Sequence, residues 1–396
     1  MLTSVFPNKE LTDEQEAVFE QILGFTKDAL KNQQKSIFQL NGDAGTGKSV
    51  ILTQLFLKLE KLTKVNQTQN YFLVNHPELL KVYQENAGEF AELRKNRFLR
   101  PTTFINRAHK TGKKADVVVI DEAHLLLSES DNYNNFRQKN QLQEIIKLST
   151  VVIFVFDSRQ VLKLKSYWSE NLLQEIIPKR INFASATLKT QMRMQAPAKV
   201  LNWIDDLTDK KHLDEIFEEN GDYLTMDSDY DFRVYADAEK MYQDLKQKNQ
   251  QMGESRIVAT ADYPSTLDGK KHFINEGKFH LPWDQYNYSK TTWAQKPETI
   301  DEVGSIYTVQ GFDLNYVAII MGPSVKLADD GNIEIDITQY EDQEAFKKRH
   351  NQDLTDLDQV KERIILNSMN VLLKRGIKGC FVYFHDPKVY QKLKRQ

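Results

Sequence analysis

Residues 36–57 read SIFQLNGDAGTGKSVILTQLFL, and this stretch decides the fold class of the chain. Its centre, 42–49, fits the phosphate-loop pattern G-x-x-x-x-G-K-[ST]. An apolar, strand-like run precedes the loop and a segment of helical period follows it, which is the context that the pattern requires. A glycine-rich turn formed by chance is the alternative, and the flanking strand and helix disfavour it. The stretch therefore predicts an α/β domain that binds a nucleoside triphosphate.

Each residue of this loop is a candidate for nucleotide binding. Glycines let successive backbone N–H groups converge on phosphate oxygens, and the positive end of the following helix dipole points at them. Lys48 is expected to reach the β- and γ-phosphates, and Ser49 to coordinate Mg²⁺. The predicted loop residues are Gly42, Asp43, Ala44, Gly45, Thr46, Gly47, Lys48 and Ser49.

A second apolar run, 116–120 (DVVVI), ends in Asp121 and Glu122. Ligands of open α/β sheets bind at strand ends of this kind. Asp121 is expected to hold Mg²⁺, directly or through water, and Glu122 to polarise the attacking water. A strand that ends in a solvated acidic turn is the alternative if the run is taken alone. With the phosphate loop upstream, the pair predicts Mg²⁺-dependent ATP hydrolysis.

Short apolar runs alternate with helix-like segments along the whole chain, which is typical of parallel sheets covered by helices on both faces. The runs form two series, so we expect two α/β domains, at 1–196 and 197–396. The second begins with a helical connector and carries insertions at 263–300 and 324–350. Within the latter, 328–332 (ADDGN) has the Asp-Gly chemistry of a hairpin turn.

The composition limits the classes of protein to which the chain could belong. The 396 residues carry 53 Lys+Arg, 56 Asp+Glu and a net charge of −3, so any polyanion must bind a local patch. A hydrophobic fraction of 40% excludes wholesale disorder, and no apolar run is long enough for a bilayer. The lone Cys380 excludes a disulfide framework, and residues 1–10 lack a secretion pattern, so a cytoplasmic location is expected.

The order of further motifs resembles superfamily 1 helicases, and more closely the bacterial Schlafen-like (group 3-like) DNA/RNA helicase domain family. The resemblance extends from Leu11 to about Tyr390. It implies two RecA-like P-loop NTPase domains with the ATP site in the interdomain cleft. It also implies a helicase or translocase that binds single-stranded DNA or RNA.

Two glutamines gain roles from this resemblance. Gln15 ends the motif 11–15 (LTDEQ), in which the family's glutamine binds the adenine edge; residues 12–15 are equally good chemistry for a helix start. Gln160 ends 154–160 (FVFDSRQ), which resembles the third helicase motif, so it would sense the γ-phosphate.

Two arginines gain roles in the same way. Arg193 ends 188–193 (LKTQMR) and Arg375 lies in 371–376 (VLLKRG), and both would stabilise charge on the transferring phosphoryl group. A solvated helix arginine is the alternative for Arg193. At Lys374 the family pattern has threonine.

The stretch 304–313 (GSIYTVQGFD) is the most family-specific. It implies that Thr308 contacts nucleic acid and that Gln310, Gly311 and Asp313 lie near the nucleotide, with the acid approaching the ribose. The family usually has glutamate at Asp313.

The span 94–114 contains eight Lys/Arg and no Asp or Glu. In related helicases this region follows the bound strand, where cations bind phosphates and aromatic rings stack on bases. An ordinary solvated basic loop is the alternative. The candidates for nucleic-acid contacts are Arg94, Lys95, Arg97, Thr102, Thr103, Phe104 and Thr308.

Three functional classes therefore remain at the level of sequence. The first is an ATPase that moves along single-stranded DNA or RNA. The second is a nucleotide-gated switch that controls a protein partner without moving along a strand. A P-loop kinase is the third, and it does not explain 304–313. The sequence leaves the choice of DNA or RNA and the oligomeric state open.

Overall fold

The computed structural model describes residues 10–132, 135–168, 173, 175–226, 229–265, 270–285, 287, 291–309, 312–347 and 356–394. The chain divides into two compact units by its internal contacts. The first unit consists of Met1–Val161 and Lys165–Met192, and the second of Leu162–Leu164 and Arg193–Gln396.

The first unit is a parallel sheet with helices on both faces. Its strands are β1 (Ser36–Gly42), β2 (Asn70–Val74), β3 (Phe98–Leu99), β4 (Ala115–Asp121), β5 (Ser149–Phe156) and β6 (Asn182–Leu188). Its helices are α1 (Asp13–Lys31), α2 (Lys48–Asn66), α3 (Pro77–Ala87), α4 (Pro101–Thr111) and α5 (Gln141–Lys147). The strand order is β3-β2-β4-β5-β1-β6, and every neighbouring pair is parallel.

This uniform direction gives the sheet two different edges. All strands end at one of them, which we call the carboxyl edge, and all begin at the other, the amino edge. The strand β5 lies between the phosphate-loop strand β1 and the acidic strand β4. Within β4, Val117 and Val119 pack into one apolar core, whereas Val118 and Ile120 pack into the core on the opposite face.

The second unit contains a nine-stranded mixed sheet. Its strands are β7 (Glu218–Asn220), β8 (Tyr223–Thr225), β9 (Asp231–Tyr235), β10 (Arg256–Ala259), β11 (His272–Glu276), β12 (Phe279–Trp283), β13 (Val303–Gly304), β14 (Leu314–Met321) and β17 (Gly376–Phe384). A separate hairpin is formed by β15 (Val325–Leu327) and β16 (Ile333–Ile335). The helices are α6 (Ala198–Lys210), α7 (Ala238–Met252), α8 (Ile306–Val309), α9 (Leu357–Leu373) and α10 (Pro387–Leu393).

The order of the second sheet is β11-β12-β13-β10-β14-β17-β9-β8-β7. The strands from β12 to β9 are parallel, and antiparallel strands extend both sides. The α/β class with parallel strands and flanking helices is therefore confirmed. The Asp-Gly hairpin at 328–332 is also confirmed, since Ala328 N–H donates to the carbonyl of Asn332 at 2.8 Å.

The two-residue strand β3 is held mainly by one aromatic side chain. Phe98 is fully buried, and its ring centroid lies 5.2 Å from Phe56 and 5.5 Å from Phe72. We expect Phe98→Ala to lower the free energy of unfolding by about 3–5 kcal/mol, because it removes a ring from a closed core. Denaturant unfolding measures this loss. Phe183→Ala on β6 is the matched control; its ring is 44% exposed, and an equal loss there would contradict the explanation.

Candidate functional site

The phosphate loop leaves β1 and leads into α2 at the carboxyl edge of the first sheet. Gly45 and Gly47 have φ of +84° and +86°, the left-handed region that glycine tolerates best. A Cβ at Gly47 would lie 2.2 Å from Nε2 of Gln15, so a larger residue would displace the Gln15 side chain as well as strain the backbone. The backbone N–H of Met192 donates to the carbonyl of Gly45 at 2.9 Å, which fixes the outer side of the loop.

Lys48 is almost buried, and its ammonium group bonds the loop itself. Nζ donates to the carbonyls of Gly42 at 2.6 Å and Asp43 at 2.7 Å, and lies 3.5 Å from Oδ2 of Asp157. Asp157 follows β5 and accepts from Nε2 of Gln160 at 2.7 Å. The predicted sensor Gln160 is thereby connected to Lys48 through one carboxylate.

Asp121 lies at the end of β4 with its carboxylate inside the protein. Oδ1 accepts from the Ser49 hydroxyl at 3.2 Å, and Oδ2 accepts from the Tyr83 hydroxyl at 2.6 Å. Burial, followed by the charge of Glu122, raises the pKa of Asp121 to about 6, although the bonds from Tyr83 and Ser49 oppose the shift. The two predicted Mg²⁺ ligands, Ser49 and Asp121, are therefore adjacent.

Glu122 has a left-handed backbone, with φ of +54°, which turns the chain sharply after β4. Its N–H donates to Oδ1 of Asp121 at 3.1 Å. Its Oε2 lies 3.2 Å from Nε2 of His124, an imidazole with no exposed surface. The imidazole and the carboxylate are therefore in contact beside Asp121.

Gln15 serves the helix start and the phosphate loop together. The backbone N–H of Thr12 donates to Oε1 of Gln15, and the Thr12 hydroxyl accepts from the Gln15 N–H, which completes a capping box on α1. Nε2 of Gln15 donates to the carbonyl of Thr46 at 3.2 Å. The residue thus caps the helix, and it also lies against the loop; binding of adenine by Gln15 stays a prediction.

In the second unit, Asp313 and Arg375 precede the neighbouring strands β14 and β17. Asp313 is half exposed, and Oδ1 pairs with Nε of Arg193 at 2.5 Å. Arg375 is 2% exposed, and its guanidinium donates to the carbonyls of Val371 and Phe312 at 3.2 and 3.3 Å. Lys374, where the family has threonine, pairs with Asp205 at 2.7 Å. The predicted nucleotide contacts Gln310 and Gly311 lie outside the described residues.

Three of the predicted nucleic-acid contacts are threonines at helix starts. Thr102 and Thr103 lie in the first turn of α4, directly after β3, at the carboxyl edge; Thr103 is exposed, and Thr102 accepts from Nε2 of Gln141 at 3.0 Å. Thr308 lies in α8 and donates to the carbonyl of Ser305 at 2.8 Å.

Phe104 requires a correction. Its side chain is 2% exposed and packs into the core of the first unit, with its ring centroid 5.2 Å from that of Tyr71. Phe104, the fourth residue of α4, points inward because it lies on the buried face of this amphipathic helix with Pro101, Ile105 and Ala108. The ring therefore has no free face for stacking on a base.

The basic span 94–114 is divided by β3 and α4. Arg94, Lys95 and Arg97 precede the two residues of β3, whereas Thr102 and Thr103 follow them in α4. Because Phe98 stands opposite Phe72, and Phe72 opposite Val119, Arg97 lies beside the middle of β2 and not at its start. Nη1 of Arg97 donates to Oε1 of Gln69, the residue before β2. Contacts of Arg94, Lys95 and Arg97 with nucleic acid stay a prediction.

Sequence reasoning missed three residues of the site. Tyr83 and His124 are fully buried partners of Asp121 and Glu122, and Asp157 connects Lys48 to Gln160. Asp157 had a usable signal, because it follows a buried strand just as Asp121 does. Tyr83 had none, since a tyrosine on the apolar face of a helix usually belongs to the core.

In the part of the chain that the structure describes, no helix is long and apolar enough to cross a membrane. The same residues contain no group of three or more His, Cys, Asp or Glu that could hold a metal ion. Ser49 with Asp121 supplies two oxygen ligands. Mg²⁺ commonly uses few protein ligands and takes the others from water and phosphate.

The fold and the site are those of an α/β protein with a phosphate loop and an acidic strand end. The family model for the Schlafen group 3 DNA/RNA helicase domain matches residues 35–386, and the chain belongs to this family. The uncharacterized protein YPL245W of Saccharomyces cerevisiae is 38% identical over 419 residues, which cover 98% of this chain and 91% of that protein. The matched relative is thus a yeast protein.

Two solved structures are similar over part or all of the chain. The Pif1 helicase of Candida albicans covers 96% of this chain and 97% of its own, with a TM-score of 0.35 and 11% identity. Domain III of the Thermotoga maritima replication initiation protein DnaA covers 51% and 80%, with a TM-score of 0.28 and 14% identity. Scores this low carry no argument, so the family assignment rests on the family model and the yeast relative.

The raised pKa of Asp121 predicts a stability that depends on pH. Because the folded-state pKa of about 6 exceeds the ordinary value of 3.8, the folded protein binds more protons, and stability falls as pH rises between them. The free energy of unfolding is lower by roughly 3 kcal/mol above pH 6 than below pH 3.8. We expect Asp121→Asn to raise the melting temperature of the Mg²⁺-free protein at pH 7.5, and to raise it much less at pH 4.5. Asp28→Asn on α1 is the control; equal gains for both variants at the two pH values would contradict the explanation.

Proposed function

We propose that this chain is an Mg²⁺-dependent ATP hydrolase of the superfamily 1 helicase type, which couples hydrolysis to movement along single-stranded DNA or RNA. The observation that carries the proposal is the bonded group of Ser49, Asp121 and Tyr83 beside Lys48 and Glu122. Membership of a DNA/RNA helicase domain family supports the same activity.

The donor set fits a hydrated Mg²⁺. Ser49 and Asp121 offer a hydroxyl and a carboxylate oxygen, the hard ligands that this ion prefers. A buried carboxylate with a raised pKa is costly to ionise, and a divalent cation beside it would offset that cost. When bound, Mg²⁺ would supply positive charge next to the β- and γ-phosphates.

The roles of the other residues follow from their present partners. Lys48 would exchange the loop carbonyls for phosphate oxygens, and the N–H groups around Gly45 and Gly47 would complete the phosphate cradle. Glu122, in contact with His124, would orient and deprotonate the attacking water. Gln160 would detect the γ-phosphate through Asp157, because the two side chains share a hydrogen bond.

The proposal assigns the remaining nucleotide contacts to other motif residues. Arg193 would give up its ion pair with Asp313, and Arg375 its hydrogen bond to the Phe312 carbonyl. Both arginines would then stabilise charge on the phosphoryl group. Gln15 would bind adenine. Gln310, Gly311 and Asp313 would lie near the nucleotide and its ribose, and Thr308 near the nucleic acid.

A nucleotide-gated switch that acts on a protein partner is the second candidate. One observation favours it: the guanidinium of Arg375 is buried and bonded to backbone carbonyls, so the residue is not presented to a phosphate in this structure. A cytoplasmic location belongs to either proposal. The single cysteine is buried, and burial raises the pKa of its thiol, as suits an unreactive residue in a reducing compartment.

Steady-state ATP hydrolysis with single-stranded DNA, single-stranded RNA and blunt duplex separates the two candidates. The motor predicts stimulation of about tenfold or more by one single strand. It also predicts that Thr103→Glu reduces this stimulation without changing basal hydrolysis, because a carboxylate would face phosphate at the start of α4. Asn106→Glu, at an exposed position one turn further along α4, is the control. Hydrolysis indifferent to all three polymers would reject the motor and favour the switch.

Glu122→Gln tests the hydrolytic assignment. The amide keeps the shape of the side chain but cannot accept a proton, so we expect ATP binding to persist while turnover falls by roughly 100-fold or more. Lys48→Ala should abolish turnover and also weaken binding, because it removes the phosphate-binding cation. Binding is measured with a fluorescent ATP analogue. A Glu122→Gln protein that hydrolyses ATP at the normal rate would remove Glu122 from the mechanism.

A further inference from the structure

The amino edge of the first sheet carries a row of cations. Arg97, Lys114 and Lys35 directly precede β3, β4 and β1, while Lys147 and Arg180 stand two residues before β5 and β6. The strand order then places them across the sheet as Arg97, Lys114, Lys147, Lys35 and Arg180. The backbone of Arg97 stands further along the strands than the other four, and its guanidinium bonds Gln69, the residue before β2. We call these five residues the amino-edge row.

Contacts between neighbours show that the row is continuous. Nζ of Lys35 donates to the carbonyl of Lys147 at 3.1 Å, and the N–H of Asn182 donates to the carbonyl of Lys35 at 3.4 Å. Burial, followed by the charge of Lys114, lowers the pKa of Lys35. At the other end, Arg97 bonds Gln69, whose N–H donates to Asp116 at 2.6 Å, two residues after Lys114.

Acidic side chains neutralise part of the row. Glu144 pairs with Lys147 at 2.7 Å, the charge of Glu60 interacts with Arg97 and Arg94, and Asp116 is bonded to a backbone N–H. Across the residues that the structure describes, no carboxylate forms an ion pair with Lys35, Lys114 or Arg180, all of which are exposed. The exposed Arg94, Lys95 and Lys113 add further positive charge beside the row.

Helix ends do not account for this distribution. Cations often complement the carbonyl end of a helix, and Lys147 in the last turn of α5 has that role. Arg97 ends a one-turn 3₁₀ helix (Lys95–Arg97), and the other three members lie in loops before strands. Burial is the first cause of the lowered pKa of Lys35 and the charge of Lys114 is the second, so an anion beside these two lysines would stabilise their charged forms.

The row offers charge but little surface for stacking. The ring of Tyr71 lies under the guanidinium of Arg97 at 5.1 Å and against Phe104 on its other side. Phe183, the exposed ring on β6, points to a face of the sheet, as strand side chains do. Single strands are bound through stacked bases, whereas a double helix presents phosphates and keeps its bases inside.

We propose that the amino-edge row binds the phosphate backbone of a double-helical nucleic acid. Six strands spaced by ~4.8 Å give the row a span of roughly 24 Å, enough to follow several phosphates. The strand β4 has seven residues, so Lys114 lies roughly 20 Å from the acidic pair at the other end of this strand. The surface does not require ATP hydrolysis, and the proposal therefore goes beyond the motor.

The test compares two double variants of the full chain with equal changes in charge. Lys35→Glu/Lys114→Glu alters the row, and Lys58→Glu/Lys388→Glu alters exposed positions on α2 and α10. The probes are labelled blunt 30-base-pair RNA and DNA duplexes, titrated without nucleotide at several salt concentrations. Lys35→Gln/Lys114→Gln is a milder second variant, and circular dichroism with thermal melting checks that each protein is folded.

We expect the row variant to bind duplex at least tenfold more weakly than the control, with the slope of log K against log salt reduced by about two. Basal ATP hydrolysis and any stimulation by single strands should be unchanged in the row variant. The experiment therefore distinguishes a failure of the proposed motor activity from a failure of the proposed duplex binding. Equal duplex affinity in the row variant and the unmodified protein would overturn the proposal. Equal weakening of duplex binding in the control variant would overturn it as well. The absence of measurable duplex binding by the unmodified protein would also overturn it, and an acidic protein would then be the partner of this edge.

Discussion

The common direction of the six strands in the first sheet is the constraint on which the rest of this unit depends. Because every strand ends at the same edge, the phosphate loop after β1, the acidic pair after β4 and Asp157 after β5 are brought together although they are far apart in sequence. For the same reason the residues before the strands meet at the opposite edge, where lysines and arginines collect. One rule of backbone direction thus brings the phosphate loop and the acidic pair together at one edge and most of the lysines and arginines before the strands at the other.

The chemistry at the carboxyl edge is arranged in advance of any ligand. Lys48 bonds carbonyls of its own loop, Asp121 accepts from two hydroxyls, and Glu122 lies against a buried imidazole. These groups are nearly buried, so each must be bonded to something even when no phosphate is near. Such bonding limits the reorganisation that binding would require, and it leaves Asp121 as the group whose charge is least well compensated.

Local patterns explain which features could be predicted from the sequence. The α/β class follows from long apolar runs such as 150–156, and the loop at 42–49 is contiguous, so both were accessible. The path of 94–114 was not, because the two residues of β3 have no periodicity and α4 reverses the chain directly after them. Phe104 was misassigned for the same reason: its direction depends on the face of α4 that packs inward. Tyr83 contacts a residue distant in sequence, and no local rule identifies such a pair.

The left-handed backbone of Glu122 has a consequence for attempts to engineer this protein. A non-glycine residue with φ of +54° costs roughly 1–2 kcal/mol, and glycine or asparagine would relieve most of it. The adjacent Asp121 would be relieved in a similar way by a neutral side chain. Directed evolution for thermostability alone would therefore enrich substitutions at these two neighbouring positions. Heat-selected libraries would accumulate well-folded, inert proteins, unless nucleotide turnover were selected in the same round.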